Sequence, residues 1–96
     1  MKTLTILVMR GCPYCRMAKK AVEELQSEDA SLAQVPVRWI DENREREAAL
    51  PYQDYWYVPS LYIDGEKLYE AHPGDSYETI LEQVRLGLAR AAQDTI

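Results

Sequence analysis

Thr3-Leu4-Thr5-Ile6-Leu7-Val8-Met9-Arg10-Gly11-Cys12-Pro13-Tyr14-Cys15 is the stretch from which the fold can be read. Residues 3–9 are β-branched or apolar on both alternating faces, as suits a central strand covered on both sides. Gly11 breaks the run. Pro13 stands where a first helical residue would, because its fixed φ and missing N–H cost nothing there. Tyr14, Ala18, Ala21, Val22 and Leu25 follow helical spacing, which predicts a helix from residue 13 to about 27. The segment opens with a Cys-x-x-Cys at a strand–helix junction, and it holds both cysteines of the chain.

Outward from there, Glu28–Gln34 reads as a last turn and a connection, and Pro36–Ile40 as a second strand ended by Asp41. Strand, helix and strand make a βαβ unit, whose strands should run parallel with a right-handed crossover. Asn43 is the expected cap of a short helix over Arg44–Leu50, stopped near Pro51. Ser60–Ile63 and Glu66–Glu70 flank Asp64-Gly65, a hairpin signal in which Asp-Gly supplies the positive φ angles of a tight turn. After the Pro73-Gly74 breaker, Asp75 with Glu78 predicts a helix start. Tyr77, Ile80, Leu81, Val84 and Leu88 form the apolar stripe of a last helix that frays after about Ala92. The order β-α-β-α-β-β-α predicts an α/β thioredoxin fold: a four-stranded mixed sheet with helices on both faces. At 96 residues the chain is expected to be one domain, residues 1–96.

The net charge is −5, which argues against a general binder of nucleic acid or of membrane surfaces. Its distribution is uneven. Lys2, Arg10, Arg16, Lys19 and Lys20 fall within residues 1–20, where no acidic residue occurs; the other six basic residues share the rest of the chain with all 16 acidic ones. Lys19 and Lys20 could be an ordinary solvated helix face. The basic segment could equally favour a thiolate and an anionic substrate. The six-residue run Leu4–Met9 is short of the ~7–15 apolar residues of a signal core, and nothing approaches the ~18 of a membrane span. The expected location is the cytoplasm, where a structural disulfide is uncommon.

Cys12 and Cys15 carry the chemistry. A cysteine at a helix start faces unpaired backbone N–H groups and the positive end of the helix dipole. These favour the thiolate, the form that attacks disulfides; at pKa ~8.5 only about 3% of a thiol is ionised at neutral pH, whereas in such motifs the value falls to ~3.5–7.5. Arg10 and Arg16 act in the same direction. Cys15, about one helical turn on, can close a disulfide with Cys12. Cys12 is thus the expected nucleophile and Cys15 the resolving thiol. Structural zinc needs about four ligands, and only His72 could join the two thiols within one chain. A structural disulfide and a pair of inert thiols are the remaining alternatives.

Cys12-Pro13-Tyr14-Cys15 and Val58-Pro59-Ser60-Leu61-Tyr62-Ile63-Asp64-Gly65 resemble the two signatures of dithiol glutaredoxins, and the likeness covers roughly residues 3–90. The resemblance implies a cis Pro59 beside the catalytic pair, with Val58 offering its backbone to a bound thiol substrate. It also implies glutathione as a co-substrate, no tightly bound cofactor, and a NADPH-linked reductase system as electron source. Met9 stands where these proteins usually carry lysine, so Arg10 is the expected substitute. Tyr69-Glu70 replace the usual Gly-Gly pair, which leaves Asp75, together with Ser76, for glutathione's amino group. Tyr14, between the cysteines, is expected to be exposed and to touch substrate. Thioredoxin's own Trp-Cys-Gly-Pro-Cys motif is absent.

The implied function is reduction of protein disulfides or glutathione mixed disulfides by dithiol exchange, in a monomer. Two alternatives stay open: a carrier of an iron–sulfur cluster held by Cys12 of two subunits with glutathione, and a redox-inert interaction domain. Tyr52, Tyr55, Trp56 and Tyr57 either border a groove or, the commoner arrangement, pack against the sheet edge. His72 is either a proton shuttle or a solvated loop residue.

Overall fold

β1 (Leu4–Val8), α1 (Pro13–Glu28), α2 (Ala30–Ala33), β2 (Val37–Asp41), α3 (Arg46–Ala49), β3 (Ser60–Ile63), β4 (Glu66–Glu70) and α4 (Tyr77–Gln93) follow one another in a computed structural model that describes residues 1–93. Residues 94–96 of the expected domain lie outside the described residues. The strands form one sheet in the order β2-β1-β3-β4. β1 runs parallel to β2 and antiparallel to β3, and β3 pairs antiparallel with β4. This is the thioredoxin fold expected from the element order, with one short helix, α2, in addition.

The two-faced apolar pattern of β1 explains why this strand lies inside the sheet. Successive side chains of a strand point to opposite faces. Leu4 and Ile6 enter the main core with Ala18, Val22 and Leu25 of α1, Leu61 and Ile63 of β3, and Ile80, Val84 and Leu88 of α4. Leu7 enters a smaller core on the opposite face with Ile40, Ala49 of α3 and Tyr62. Full burial of each Leu or Ile is worth about 1.5–3 kcal/mol, whereas an exposed ion pair contributes about 0–1. The two cores, not surface pairs such as Arg85–Glu82, therefore hold the end of β1 in place.

Some local expectations are corrected. Asp29 caps α2 by accepting from the Ser31 N–H at 2.9 Å, so the segment read as a connection is helical. Asn43 caps nothing. The Asp41 carboxylate instead accepts from the N–H groups of Asn43 and Arg44 at 3.0 and 3.2 Å, which holds them in a turn and delays α3 to Arg46. Ser76 takes the cap position expected of Asp75: its Oγ accepts from the Thr79 N–H at 3.1 Å, and α4 begins at Tyr77. Asp64 and Gly65 have φ of 52° and 80°, the left-handed pair that a tight hairpin requires. No helix among the described residues is long and apolar enough to cross a membrane.

Candidate active site

The chain leaves β1 at Val8 and turns through Met9, Arg10 and Gly11. Gly11 has φ of 82°, a conformation that a side chain would disfavour, and the Cys12 N–H closes the turn on the Met9 carbonyl at 3.3 Å. Cys12 is the N-cap of α1 and Pro13 its first residue. The Cys12 Sγ accepts from the Cys15 N–H at 3.4 Å, the task a serine or aspartate oxygen performs at other helix starts. On its other side the thiol donates to the Val58 carbonyl at 3.7 Å. The Val58–Pro59 peptide bond is cis, and Pro59 continues into β3, the neighbour of β1. Two adjacent strands thus deliver the sulfur and the cis-proline loop to the same edge.

The two thiols are equally shielded, each 7% exposed, and both are free. Their surroundings differ. Cys12 caps the helix and borders solvent through a cleft of about 560 Å³ that both cysteines line. Cys15 lies inside the first turn. Burial, then the contact with the Cys12 sulfur, then the negative charge of Glu42 push its thiol up to about 12, only partly offset by the Met9 backbone. The pair is therefore asymmetric: the Cys12 sulfur caps the helix by accepting the Cys15 N–H, whereas burial holds the proton on Cys15.

That asymmetry makes a prediction for stability. The Cys15 thiol would ionise near 9.0 in the unfolded chain and near 12 in the folded one. A folded value raised above the unfolded one contributes stability that is complete below pH 9 and lost as pH climbs toward 12, by as much as a few kcal/mol. Thermal melts of the reduced protein across this window should fall more steeply than those of Cys15→Ser. The tyrosines with raised values contribute equally to both proteins, so matching slopes would contradict the assignment.

Four cations line the cleft: Arg10, Arg16, Lys19 and Arg44, with Asp41 as the one carboxylate among the lining residues. The site is locally positive on a chain of net charge −5, which favours approach of anions. Arg10 is exposed at the cleft, as a substitute for the missing lysine needs to be. Tyr14 departs from expectation. It is half-buried against the main core, and its OH accepts from the Gly74 N–H at 2.8 Å, which ties the 73–75 turn to the start of α1. Asp75 is committed within that turn: its Oδ2 accepts from the Tyr69 OH and from the His72 N–H, and these bonds hold the carboxyl below the usual range. His72 is exposed, its ring 6.1 Å from that of Tyr57.

The aromatic cluster divides. Tyr52 packs on Tyr62 at 4.7 Å in the smaller core, and Tyr55 is half-buried with its OH donating to Glu42 at 2.6 Å. Trp56 and Tyr57 project into solvent, against the expectation that the cluster packs on the sheet. Arg44, which lines the cleft, and Glu42, whose charge acts on Cys15, were not foreseen in the site. Arg44 and Glu42 follow a strand end, the usual place for site residues in α/β sheets, and that signal could have found them. No group of three or more His, Cys, Asp or Glu side chains among the described residues is placed to hold a metal.

Comparison with known proteins agrees with this geometry. The glutaredoxin family profile matches residues 4–68, more than half of the chain. Human ERp44 in its zinc-bound form superposes with a TM-score of 0.52 and 19% identity, over 88% of this chain and 25% of that one. The likeness is one of fold, and the chain spans about a quarter of that protein's length. No curated protein matches the sequence.

Proposed function

Because the chain belongs to the glutaredoxin family, we propose that it is a thiol–disulfide oxidoreductase that reduces protein disulfides or glutathione mixed disulfides by dithiol exchange. The observation that carries this reading is the Cys12 sulfur held between the Cys15 N–H and the Val58 carbonyl, with cis Pro59 adjacent. The Cys12 thiolate attacks one sulfur of the substrate disulfide, forms a mixed disulfide, and expels the other sulfur as a thiolate that takes a proton from water. Cys15 then gives up its proton and attacks the Cys12 sulfur. The second substrate thiol leaves, and a Cys12–Cys15 disulfide remains. Two electrons have passed to the substrate, and two glutathione thiols or a NADPH-linked reductase return them.

Glutathione serves here as a co-substrate and not as a resident cofactor. Its carboxylates suit the cations of the cleft, Arg10 foremost, while Val58 provides the backbone for the substrate thiol. Asp75, whose Oδ2 is engaged by the Tyr69 OH and the His72 N–H, offers its other carboxylate oxygen to the amino group. The expected setting is a monomer in the cytoplasm. The test is NADPH consumption during disulfide reduction, with glutathione and its reductase in one assay and thioredoxin reductase in another. Turnover in at least one is expected, and turnover in neither would remove the proposal.

A further inference from the structure

Trp56 is 92% exposed, the most exposed of the large hydrophobic residues described. A loose loop would explain that, but this loop is bolted down. The Glu70 Oε2 accepts from the N–H groups of both Trp56 and Tyr57, at 2.6 and 2.7 Å. Lys67 grips the other oxygen of Glu70 at 2.8 Å and also donates to the Asp54 carbonyl. The Asp54 carboxylate accepts from the Tyr62 OH at 2.7 Å, and the Ser60 Oγ donates to the Tyr57 carbonyl at 2.6 Å. Partial burial alone would raise the Glu70 carboxyl, but its bonds with Lys67, Trp56 and Tyr57 outweigh that and hold it low, so it stays charged.

The indole is therefore presented on a fixed backbone. It stands two residues before Val58, whose carbonyl faces the Cys12 sulfur, a span of chain of at most about 7 Å. Beside it lies a cleft of about 480 Å³ lined by apolar Leu50, Tyr55 and Trp56 and by polar Glu42, Asn43, Arg46 and Gln53. That mixture suits a polypeptide, whose apolar side chain needs the first and whose amides need the second. The cationic cleft of Arg10 and Arg16 is a separate one, with no lining residue in common.

We propose that Trp56 and the cleft beside it dock a polypeptide substrate, taking an apolar or aromatic side chain close in sequence to the disulfide being reduced. The inference rests on the oxidoreductase reading of Cys12 and adds the surface that selects among its polypeptide substrates. Preformed, exposed aromatic anchors of this kind concentrate binding energy.

The test uses Trp56→Ala and Trp56→Phe on two substrates: reduction of insulin, and reduction of bis(2-hydroxyethyl) disulfide. Trp56→Ala should raise KM for insulin about tenfold with little change in kcat, and Trp56→Phe should restore most of it. The small disulfide should be turned over as by the wild type. Equal kinetics of Trp56→Ala and wild type on both substrates would overturn the proposal, as would an equal loss on both. Insulin binding to Cys12→Ser, followed by Trp56 fluorescence with the Trp56→Phe background subtracted, separates docking from chemistry. Binding without any wild-type turnover would keep the docking surface and remove the oxidoreductase reading; turnover without Trp56-dependent binding would do the reverse. A dimer in sedimentation that Trp56→Ala dissolves would also overturn the proposal, by making a second copy the occupant.

Discussion

Cys12→Ser should lower disulfide turnover at least about a thousandfold on every substrate, because a hydroxyl neither ionises near neutral pH nor attacks sulfur. The fold should survive. A serine oxygen can accept the Cys15 N–H as the sulfur does, and serine is a favoured N-cap residue, so helix α1 keeps its start. The melting temperature should accordingly stay within a few degrees of the wild type. The loss would then belong to chemistry and not to folding. Appreciable turnover by Cys12→Ser, measured in the same NADPH-coupled assays, would place the nucleophile elsewhere.

Cys15→Ser should split the activities instead of abolishing them. Reduction of a protein disulfide in the proposed sequence needs Cys15 to attack the Cys12 sulfur and free the substrate. Without it the mixed disulfide persists, and protein-disulfide turnover should drop about a hundredfold or more. A glutathione mixed disulfide has another exit. A second glutathione can resolve the intermediate, so a substantial part of that activity should remain. Non-reducing electrophoresis with mass spectrometry should find the trapped substrate on Cys12. Equal loss on both substrates would show that Cys15 supports the site in some way other than resolving.

The fold was legible because its signals are local and mutually consistent. The two-sided apolar run of β1, Pro13 at a helix start and Asp64-Gly65 at a turn each specify their element by chain geometry alone. Cys12 and Cys15 were legible for the same reason, since their relation is fixed within one helical turn. What escaped depends on residues far apart in sequence. Tyr14 looked exposed by position, yet the Gly74 N–H, 60 residues away, claims its hydroxyl. Asp75 looked like a helix cap, but the hydroxyl of Tyr69 on β4 draws it into the preceding turn. The aromatic cluster could not be sorted without knowing that Glu70 fixes the backbone of Trp56 and Tyr57 and leaves their rings outside. Helix α3 was misplaced because the Asp41 carboxylate, at the end of a strand, holds the N–H groups of Asn43 and Arg44 in a turn and delays the helix to Arg46.

The proposed exchange requires two neighbouring sulfurs to behave differently. The most direct test is alkylation of the reduced protein with substoichiometric iodoacetamide from pH 6 to 10, followed by peptide mapping to rank the two cysteines. Cys12 should be modified first throughout, and Cys15, whose thiol is pushed up to about 12, should stay almost unmodified over the whole range. Modification of Cys15 first, or of both at one rate, would contradict the assignment of nucleophile and resolving thiol.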